Sequence, residues 1–357
     1  MDKQKSLDLI EKLSNAYGVS GFEDEVVHIF SEAVQGLGKV TEDTMRNVYV
    51  ERKGNSGHRP VVQLDAHSDE VGFMVQAIKP NGTLRFVTVG GWAAVNIPAH
   101  KVRVRNRDGS YLPAVITSTP PHFMTAEQRK SVPQISEMAI DVGATSAEEV
   151  RNDFKIDIGA PVVPDVVFDY LEDKGLLLGK AFDNRIGTAC MVDILNELKD
   201  QELHVDLVAS LSAQEEVGDR GAQVTVRKIQ PDLSIVLEGP PADDTFTPDY
   251  LIQTGMRRGP MLRDLDTSII VNPRFQKYCL DKAGAHEIKV QRAVRTGGGN
   301  DGAVINLYQG APTVVIGIPV RYAHTPYCYV AFEDYVSTLK LVTEILKSLD
   351  ADVIGGF

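Results

Sequence analysis

Cysteine is scarce: three in 357 residues, Cys190, Cys279 and Cys328, odd in number and far apart. No disulfide framework and no CxxC metal clip can be assembled from them, which suits a reducing compartment. Long apolar runs are also missing, and nothing approaches the ~18 residues needed to span a bilayer. The first segment, Met1 to Leu13, sets Leu7, Ile10 and Leu13 among Lys, Asp and Glu. That is an amphipathic helix pattern and lacks the apolar core of a signal peptide. A cytoplasmic location with no membrane partner is expected. Basic residues are outnumbered, with 37 Lys and Arg against 49 Asp and Glu, a formal charge of −12. Neutralising phosphates needs clustered Lys and Arg, so nucleic acid is not the expected partner. The surplus carboxylates are free for another use, which is holding cations.

What is present reads as a folded chain of two domains. The length exceeds one ordinary domain and falls short of three, and 43% hydrophobic with 24% charged residues is a globular composition. Ser6 to Tyr17 and Glu23 to Val34 have helical spacing around a Gly18 to Phe22 break. Pro60 to Leu64 is a brief β-branched run, expected as a buried strand ending in Asp65-Ala66-His67-Ser68-Asp69-Glu70. From Val71 to about Pro164 short alternating runs dominate, separated by Pro80-Asn81-Gly82, Gly90-Gly91 and Arg107-Asp108-Gly109 turns. After Pro164, strands Gly175–Ala181, Val205–Ala213, Leu233–Leu237 and Thr313–Ile318 alternate with helical segments such as Ile186–Leu198 and Val336–Leu349. The expectation is an α/β fold, a mostly parallel sheet flanked by helices, interrupted by a β insert. The boundaries are 1–70 and 164–357 for the α/β domain and 71–163 for the insert.

Ligands of open parallel sheets gather beyond the carboxyl ends of the strands. The residues expected there are His67 and Asp69, Glu215 and Glu216, Glu238, and His324, with Asp183 at a helix start. Imidazoles and carboxylates without thiolates suit Zn²⁺ or Co²⁺. Two divalent ions carry +4; Asp183, Glu216 and Glu238 return −3, and a bridging hydroxide closes the balance. Such a hydroxide is the nucleophile of a two-metal hydrolase. One member of the Glu215–Glu216 pair is available as proton shuttle, and Asp69 could orient His67. Singly, each has a plainer reading: Asp183 as a helix cap, Glu215 and Glu216 as a solvated loop pair, either histidine as a hydrogen-bonded structural residue. Glu238 is harder to dismiss, since a carboxylate ending an apolar strand needs a partner. Gly297-Gly298-Gly299-Asn300-Asp301-Gly302 lacks the Lys-Ser/Thr of a phosphate loop and is read as a turn beside substrate, with Asn300 and Asp301 as contacts. The basic loop Arg257-Arg258-Gly259-Pro260 is read as facing solvent.

Four ordered motifs then resemble one family. His67-Ser-Asp69-Glu70-Val-Gly-Phe-Met, Ala181-Phe-Asp183-Asn-Arg-Ile-Gly, Gln214-Glu215-Glu216-Val-Gly-Asp-Arg-Gly-Ala and Arg321-Tyr-Ala-His324-Thr-Pro are similar to the glutamyl/deblocking aminopeptidases, the tetrahedral aminopeptidases included. The resemblance implies a zinc-peptidase-like α/β domain with a β-barrel or PDZ-like dimerisation insert, and a homo-oligomer, commonly a dodecamer. It implies a metallo-aminopeptidase acting on peptide substrates with two divalent ions, Zn or Co. His67 and Glu238 would complete one metal site and Glu216 and His324 the other, with Asp183 bridging, Glu215 the general base and Asp69 its helper. The chain departs from the family pattern at Glu238, where Asp is common, at Cys328, where Glu is common, and at Asn300 in place of Thr. The alternatives are a related dinuclear carboxypeptidase or deacylase, a metal-independent glycosidase using Glu215, and a non-catalytic scaffold of the same fold.

Overall fold

The computed structural model describes residues 1–357. Helix α1 (Lys3–Asn15) starts at Asp2, whose carboxylate accepts from the Gln4 and Lys5 amides, and it buries Leu7, Ile10 and Leu13. Helix α2 (Asp24–Ala33) buries Val26, Val27 and Phe30. A hairpin of β1 (Gly38–Glu42) and β2 (Val48–Arg52) precedes β3 (Val61–His67).

The chain then leaves this sheet. Strands β4 (Gly72–Ile78), β5 (Leu84–Val89), β6 (Lys101–Arg105), β7 (Tyr111–Ile116), β8 (Ile140–Asp141) and β9 (Pro161–Pro164) close into a barrel in the order β4-β5-β8-β7-β6-β9. Phe73, Phe86, Val102, Val104 and Val162 fill it, because alternate residues of each strand point inward. Its Asn81-Gly82 turn requires glycine: φ is +84°, and a Cβ would lie 2.6 Å from the Ala144 carbonyl oxygen. One short helix, α3 (Ala147–Asn152), capped by Ser146, lies between β8 and β9.

The returning chain makes β10 (Asp169–Leu171), β11 (Leu176–Gly179), α4 (Phe182–Leu198), β12 (Asp206–Ser212), α5 (Arg220–Ile229), β13 (Leu233–Glu238) and β14 (Met261–Leu265). It continues through α6 (Pro273–Ala285), β15 (Gln291–Val294), α7 (Gly302–Leu307), β16 (Thr313–Gly317), β17 (Cys328–Ala331), α8 (Phe332–Lys347) and α9 (Ala351–Gly355). The main sheet has eight strands in the order β1-β2-β12-β3-β13-β16-β14-β15. Residues of β13 alternate between its faces. Ile235 and Leu237 join the large core with α4, while Val236 packs with Ala222 and Val226 of α5 and Ile305 of α7. Helices on both faces bury the central strands on both sides, so that even the polar Gln63, Asp65, Ser210 and Ser212 are enclosed.

The sheet is less parallel than expected. β12, β3, β13 and β16 run parallel, but β1 and β2 pair antiparallel, as do β2 with β12 and β14 with β16. The parallel centre needs helical crossovers, and these give the sequence its strand–helix alternation. The antiparallel flanks are joined by a hairpin and by irregular returns, which carry no such signal.

Candidate metal centre

The carboxyl ends of the four parallel strands converge on one spot. His67 ends β3 and Glu238 ends β13. Beyond β12, Gln214 in the left-handed region (φ 58°) turns the chain so that Glu215 and Glu216 follow. Beyond β16, Tyr322 and His324 adopt the same conformation (φ 64° and 60°). Such backbone is uncommon for residues with a Cβ and clusters at functional sites. Asp183 arrives from the start of α4, where its own φ and ψ are not helical. It is therefore not a simple cap.

Asp183 lies between the two imidazoles. Its Oδ1 is 3.1 Å from His67 Nε2 and its Oδ2 is 3.4 Å from His324 Nε2. His324 Nε2 is also 3.4 Å from Glu216 Oε2, and His67 Nε2 is 3.9 Å from Glu238 Oε2 and 3.8 Å from Glu215 Oε2. His67, Glu215 and Glu238 form one group of ligand atoms mutually within 4.8 Å, and His67, Asp183 and Glu216 another. Glu215 is thus as near to His67 as Glu238 is.

The outer nitrogen of His324 and the loop backbones are hydrogen-bonded from behind, while that of His67 has a carboxylate close by without an aligned hydrogen bond. His324 Nδ1 donates to the Gly91 carbonyl at 2.9 Å, a contact supplied by the segment after β5. His67 Nδ1 is 3.3 Å from Asp69 Oδ1. Asp69, fully buried, also accepts from the Glu215 amide (2.9 Å), the Glu216 amide (3.2 Å) and the Ser20 hydroxyl (2.6 Å). One carboxylate therefore sets both an imidazole and the two-glutamate loop. Gly239 lets this neighbourhood close up: a Cβ there would lie 2.6 Å from the Phe182 carbonyl oxygen and 2.9 Å from Asp183 Cα.

Electrostatics test whether cations suit the site. Burial pushes Glu215 and Glu238 well above the usual carboxylate range and Glu216 up to about 8. Burial opposes protonation of His67, yet the Glu215 charge and the Asp183 and Asp69 contacts raise it well above the ordinary histidine value. His324 is pushed up to about 10, against its burial, by Asp183 and Glu216. Asp183 is held low, again against burial, by the two imidazoles. The carboxylates thus draw protons onto both rings. Glu216 Oε1 and Glu238 Oε1 are buried with no hydrogen-bond partner. Orphaned buried oxygens around neutralisable imidazoles are a donor set that fits divalent cations.

Other expectations sort differently. Asn300 lines the adjoining cavity, but its amide donates to Asp266 Oδ2 at 2.8 Å. Asp301, expected as a substrate contact, is instead fully buried behind the cavity wall, where its carboxyl meets that of Asp65. The reason is local: Asn300 and Asp301 are adjacent at the start of α7, where successive side chains are turned about 100° from one another, so only one of them faces the cavity. Arg257 pairs with Glu333 at the surface, away from the cavity. The Cys328 thiol is buried and donates to the Tyr322 carbonyl at 3.4 Å. Sequence reasoning missed Gly91, for which no signal existed, and Arg263 and Arg295, which line the cavity. It also missed Lys180, buried beside Asp183 in sequence, whose ammonium binds both oxygens of Glu70 at 2.6 and 2.7 Å and the Ala16 carbonyl at 2.7 Å.

Comparison with known proteins gives concordant matches. Residues 46–341 match the model of the M42 glutamyl aminopeptidase family. A glutamyl aminopeptidase of Lactococcus lactis is 30% identical, covering 98% of each chain. A lysyl aminopeptidase of Pyrococcus furiosus is 28% identical, covering 96% of this chain and 97% of its own. Among solved structures, a TET aminopeptidase from a marine-sediment thaumarchaeon superposes with a TM-score of 0.94 at 36% identity over 99% of both chains. A TET1 peptidase of Pyrococcus horikoshii, described as assembling into a tetrahedron or a large octahedral shell, gives 0.86 at 25% identity over 96% of this chain and all of its own.

Proposed function

The chain belongs to the M42 glutamyl aminopeptidase family and is a peptide-bond hydrolase, and from that premise we propose that it is a cytoplasmic, two-metal aminopeptidase. One ion, Zn²⁺ or Co²⁺, would be held by His67, Asp183 and Glu238, and the second by Asp183, Glu216 and His324. The observation that carries this reading is Asp183, with one oxygen toward each imidazole at 3.1 and 3.4 Å. Bound there, the ions would acidify a water toward a pKa of ~7 and polarise a carbonyl.

The residues of the chain do the rest. Glu215 takes the proton of the attacking water and delivers it to the departing amine, since its carboxyl faces the same His67 Nε2 as the ligands do. Asp69 keeps Glu215 in place through its backbone amide. The remaining carboxylates of the site receive the free α-ammonium of the peptide, which makes the enzyme act from the N-terminus. Three buried, unpaired thiols suit a cytoplasmic location, and no helix is long and apolar enough to cross a membrane. The catalytic unit is read as 1–70 with 164–357, and 71–163 as a β-barrel dimerisation insert. A homo-oligomer, as large as a dodecamer, is supported by the assemblies described for the Pyrococcus horikoshii relative.

The test is chelation followed by re-addition of Zn²⁺ or Co²⁺, assayed on aminoacyl anilides. Activity should vanish and return, whereas turnover by fully metal-free protein would overturn the metal assignment. Acylated substrates should not be cleaved; a deacylase would cleave them. Native mass measurement reads the assembly.

A further inference from the structure

Between β5 and β6 the chain leaves the barrel as Gly90-Gly91-Trp92, and Gly91 joins the lining of the cavity beside the ligand cluster. One side of this segment is anchored in the barrel. The Trp92 ring stacks on Phe73 of β4, with centroids 4.7 Å apart and planes at 28°, and Ile97 is fully buried in the barrel core. The other side meets metal ligands. The Gly91 carbonyl accepts from His324 Nδ1 at 2.9 Å. Gly90 has a φ of +77°, and a Cβ there would lie 2.6 Å from Val71 Cγ1 and 3.3 Å from Glu216 Cβ, so backbone and contact both require glycine.

The two ion sites share Asp183 and differ in what stands behind the rest. His67 faces only Asp69, Asp183, Glu215 and Glu238. Asp69 is held in turn by Ser20 and by the Glu215 and Glu216 amides, so this side is organised within the α/β domain. His324 has no such support from its own domain. It lies in a loop closed by the Arg321–Tyr329 bridge, its φ is 60°, and Gly91 takes the one hydrogen bond of its outer nitrogen. A second residue of the insert faces the same loop: the His100 ring is tilted over Tyr327, with centroids 5.8 Å apart. A carbonyl can only accept, so the Gly91 bond places the His324 proton on Nδ1. The Nε2 lone pair is then left toward Asp183 and Glu216.

Resting on the two-metal reading above, we propose that Gly90-Gly91 of the insert is a positioning element for the second metal site alone: its carbonyl fixes the tautomer and direction of His324, while the first site is organised by the α/β domain without the barrel. The two ions are therefore unequal, and the second is held only as firmly as the segment is docked. By reciprocity, filling the second site tightens the segment against the α/β domain. Gly91 offers a selective handle. Besides its chain neighbours, a Cβ there would meet two atoms within 4 Å, Nδ1 (3.1 Å) and Cε1 (3.5 Å) of His324, and its φ is not in the left-handed region.

The experiment titrates metal-stripped protein with Zn²⁺ against a chelating dye. The parent should take up two ions per chain. Gly91→Ala presses on the His324 ring, and Trp92→Ala frees the segment from Phe73 while adding nothing near the ring. Each should keep the first affinity within about twofold and lose roughly tenfold or more at the second, the weight of an outer partner of a metal-bound histidine. Gly91→Ala should have no further effect once His324→Ala has removed the ring. Equal losses at both sites, an unchanged second affinity in Trp92→Ala, or a Gly91→Ala loss that persists in the His324→Ala background would each overturn the proposal. Hydrogen exchange of residues 90–97 in the unmodified enzyme, followed at zero, one and two equivalents of Zn²⁺, depends on no variant folding. Protection should arrive with the second equivalent; protection complete at the first, or none at either, would overturn the proposal as well. Uptake of fewer than two ions per chain by the parent would instead refute the two-metal reading on which it rests.

Discussion

Replacing Asp69 by Asn should weaken metal binding without touching a ligand. Asp69 uses both oxygens: Oδ1 serves His67 Nδ1 (3.3 Å) and the Glu215 amide (2.9 Å), and Oδ2 serves the Ser20 hydroxyl (2.6 Å) and the Glu216 amide (3.2 Å). An Asn side chain has one acceptor oxygen. Whichever way it faces, its NH₂ meets a backbone N–H of the two-glutamate loop. The Ser20 hydroxyl can rotate to become an acceptor, but an amide cannot. One buried donor is stranded at a cost of about 1–3 kcal/mol, and His67 loses its charged partner whichever way the amide faces. Outer partners of metal-bound histidines contribute roughly 10- to 100-fold in affinity, or about 1.4–2.7 kcal/mol. Competition against a chelating dye, starting from stripped protein, should therefore show Zn²⁺ affinity down by at least tenfold in Asp69→Asn. The Ser20→Ala variant, which removes one neutral donor, should lose far less. Affinity within twofold of the parent in Asp69→Asn would refute the idea that Asp69 organises the site.

Three further outcomes are expected. Glu215→Gln should retain metal content by elemental analysis while turnover falls by roughly 10²- to 10⁴-fold, the usual weight of a general base; loss of metal would make Glu215 a ligand, which its 3.8 Å approach to His67 permits. Lys180→Met should destabilise the fold by about 3–5 kcal/mol in a denaturant titration, because it leaves the buried Glu70 carboxylate with Arg185 at 3.3 Å as its one cation and the Gly18 amide as its other donor; an unchanged midpoint would show the ion pair to be dispensable. Glu23, pushed by burial and by the Asp69 charge from 4.5 up to about 7, has a buried oxygen without a partner. Between those two values the folded chain keeps a proton that the unfolded chain has released, so stability drops as pH rises through the window, by about 3 kcal/mol at most. Glu23→Gln should flatten the dependence of thermal stability on pH between 5 and 8, and parallel curves for parent and variant would exclude Glu23 as its source.

The sequence made some of this legible and hid the rest for physical reasons. The strands Gly72–Ile78 and Tyr111–Ile116 could be read from alternation between turn signals, and the helix through Ile186–Leu198 from its spacing. β14 and β15 were not legible. Arg263 and Asp264 interrupt one strand, and Gln291 and Arg292 open the other, so neither shows an apolar run. The site residues stood out because each ends an apolar strand, opens a helix or lies in the loop that follows a strand. The partners that orient them did not, since Gly91 acts through a backbone carbonyl and Ser20 lies in a glycine-bracketed loop. Asp301 shows the limit of adjacency: its neighbour Asn300 faces the cavity while Asp301 faces Asp65.

The carboxylates of the site sit where the backbone can tolerate them. Parallel strands joined by helices bring helix N-termini to the same end of the sheet as the strand carboxyl ends. α4 begins at Phe182 beside Asp183, and α5 begins at Arg220 just after Glu215 and Glu216. Each N-terminus carries roughly half a positive charge from its unpaired N–H groups. Half a charge each is far less than the charge of the converging carboxylates, so the helices reduce the repulsion without removing it. The remainder falls to His67 and His324, whose protonation the carboxylates favour. The fold therefore gathers negative charge at one end of a parallel sheet, supports part of it with peptide dipoles, and leaves a deficit that only a cation or a proton can fill. Arg263 and Arg295 do not fill it, because Asp266 and Asp243 stand behind them. They mark the opposite sign within the lining of the same cavity.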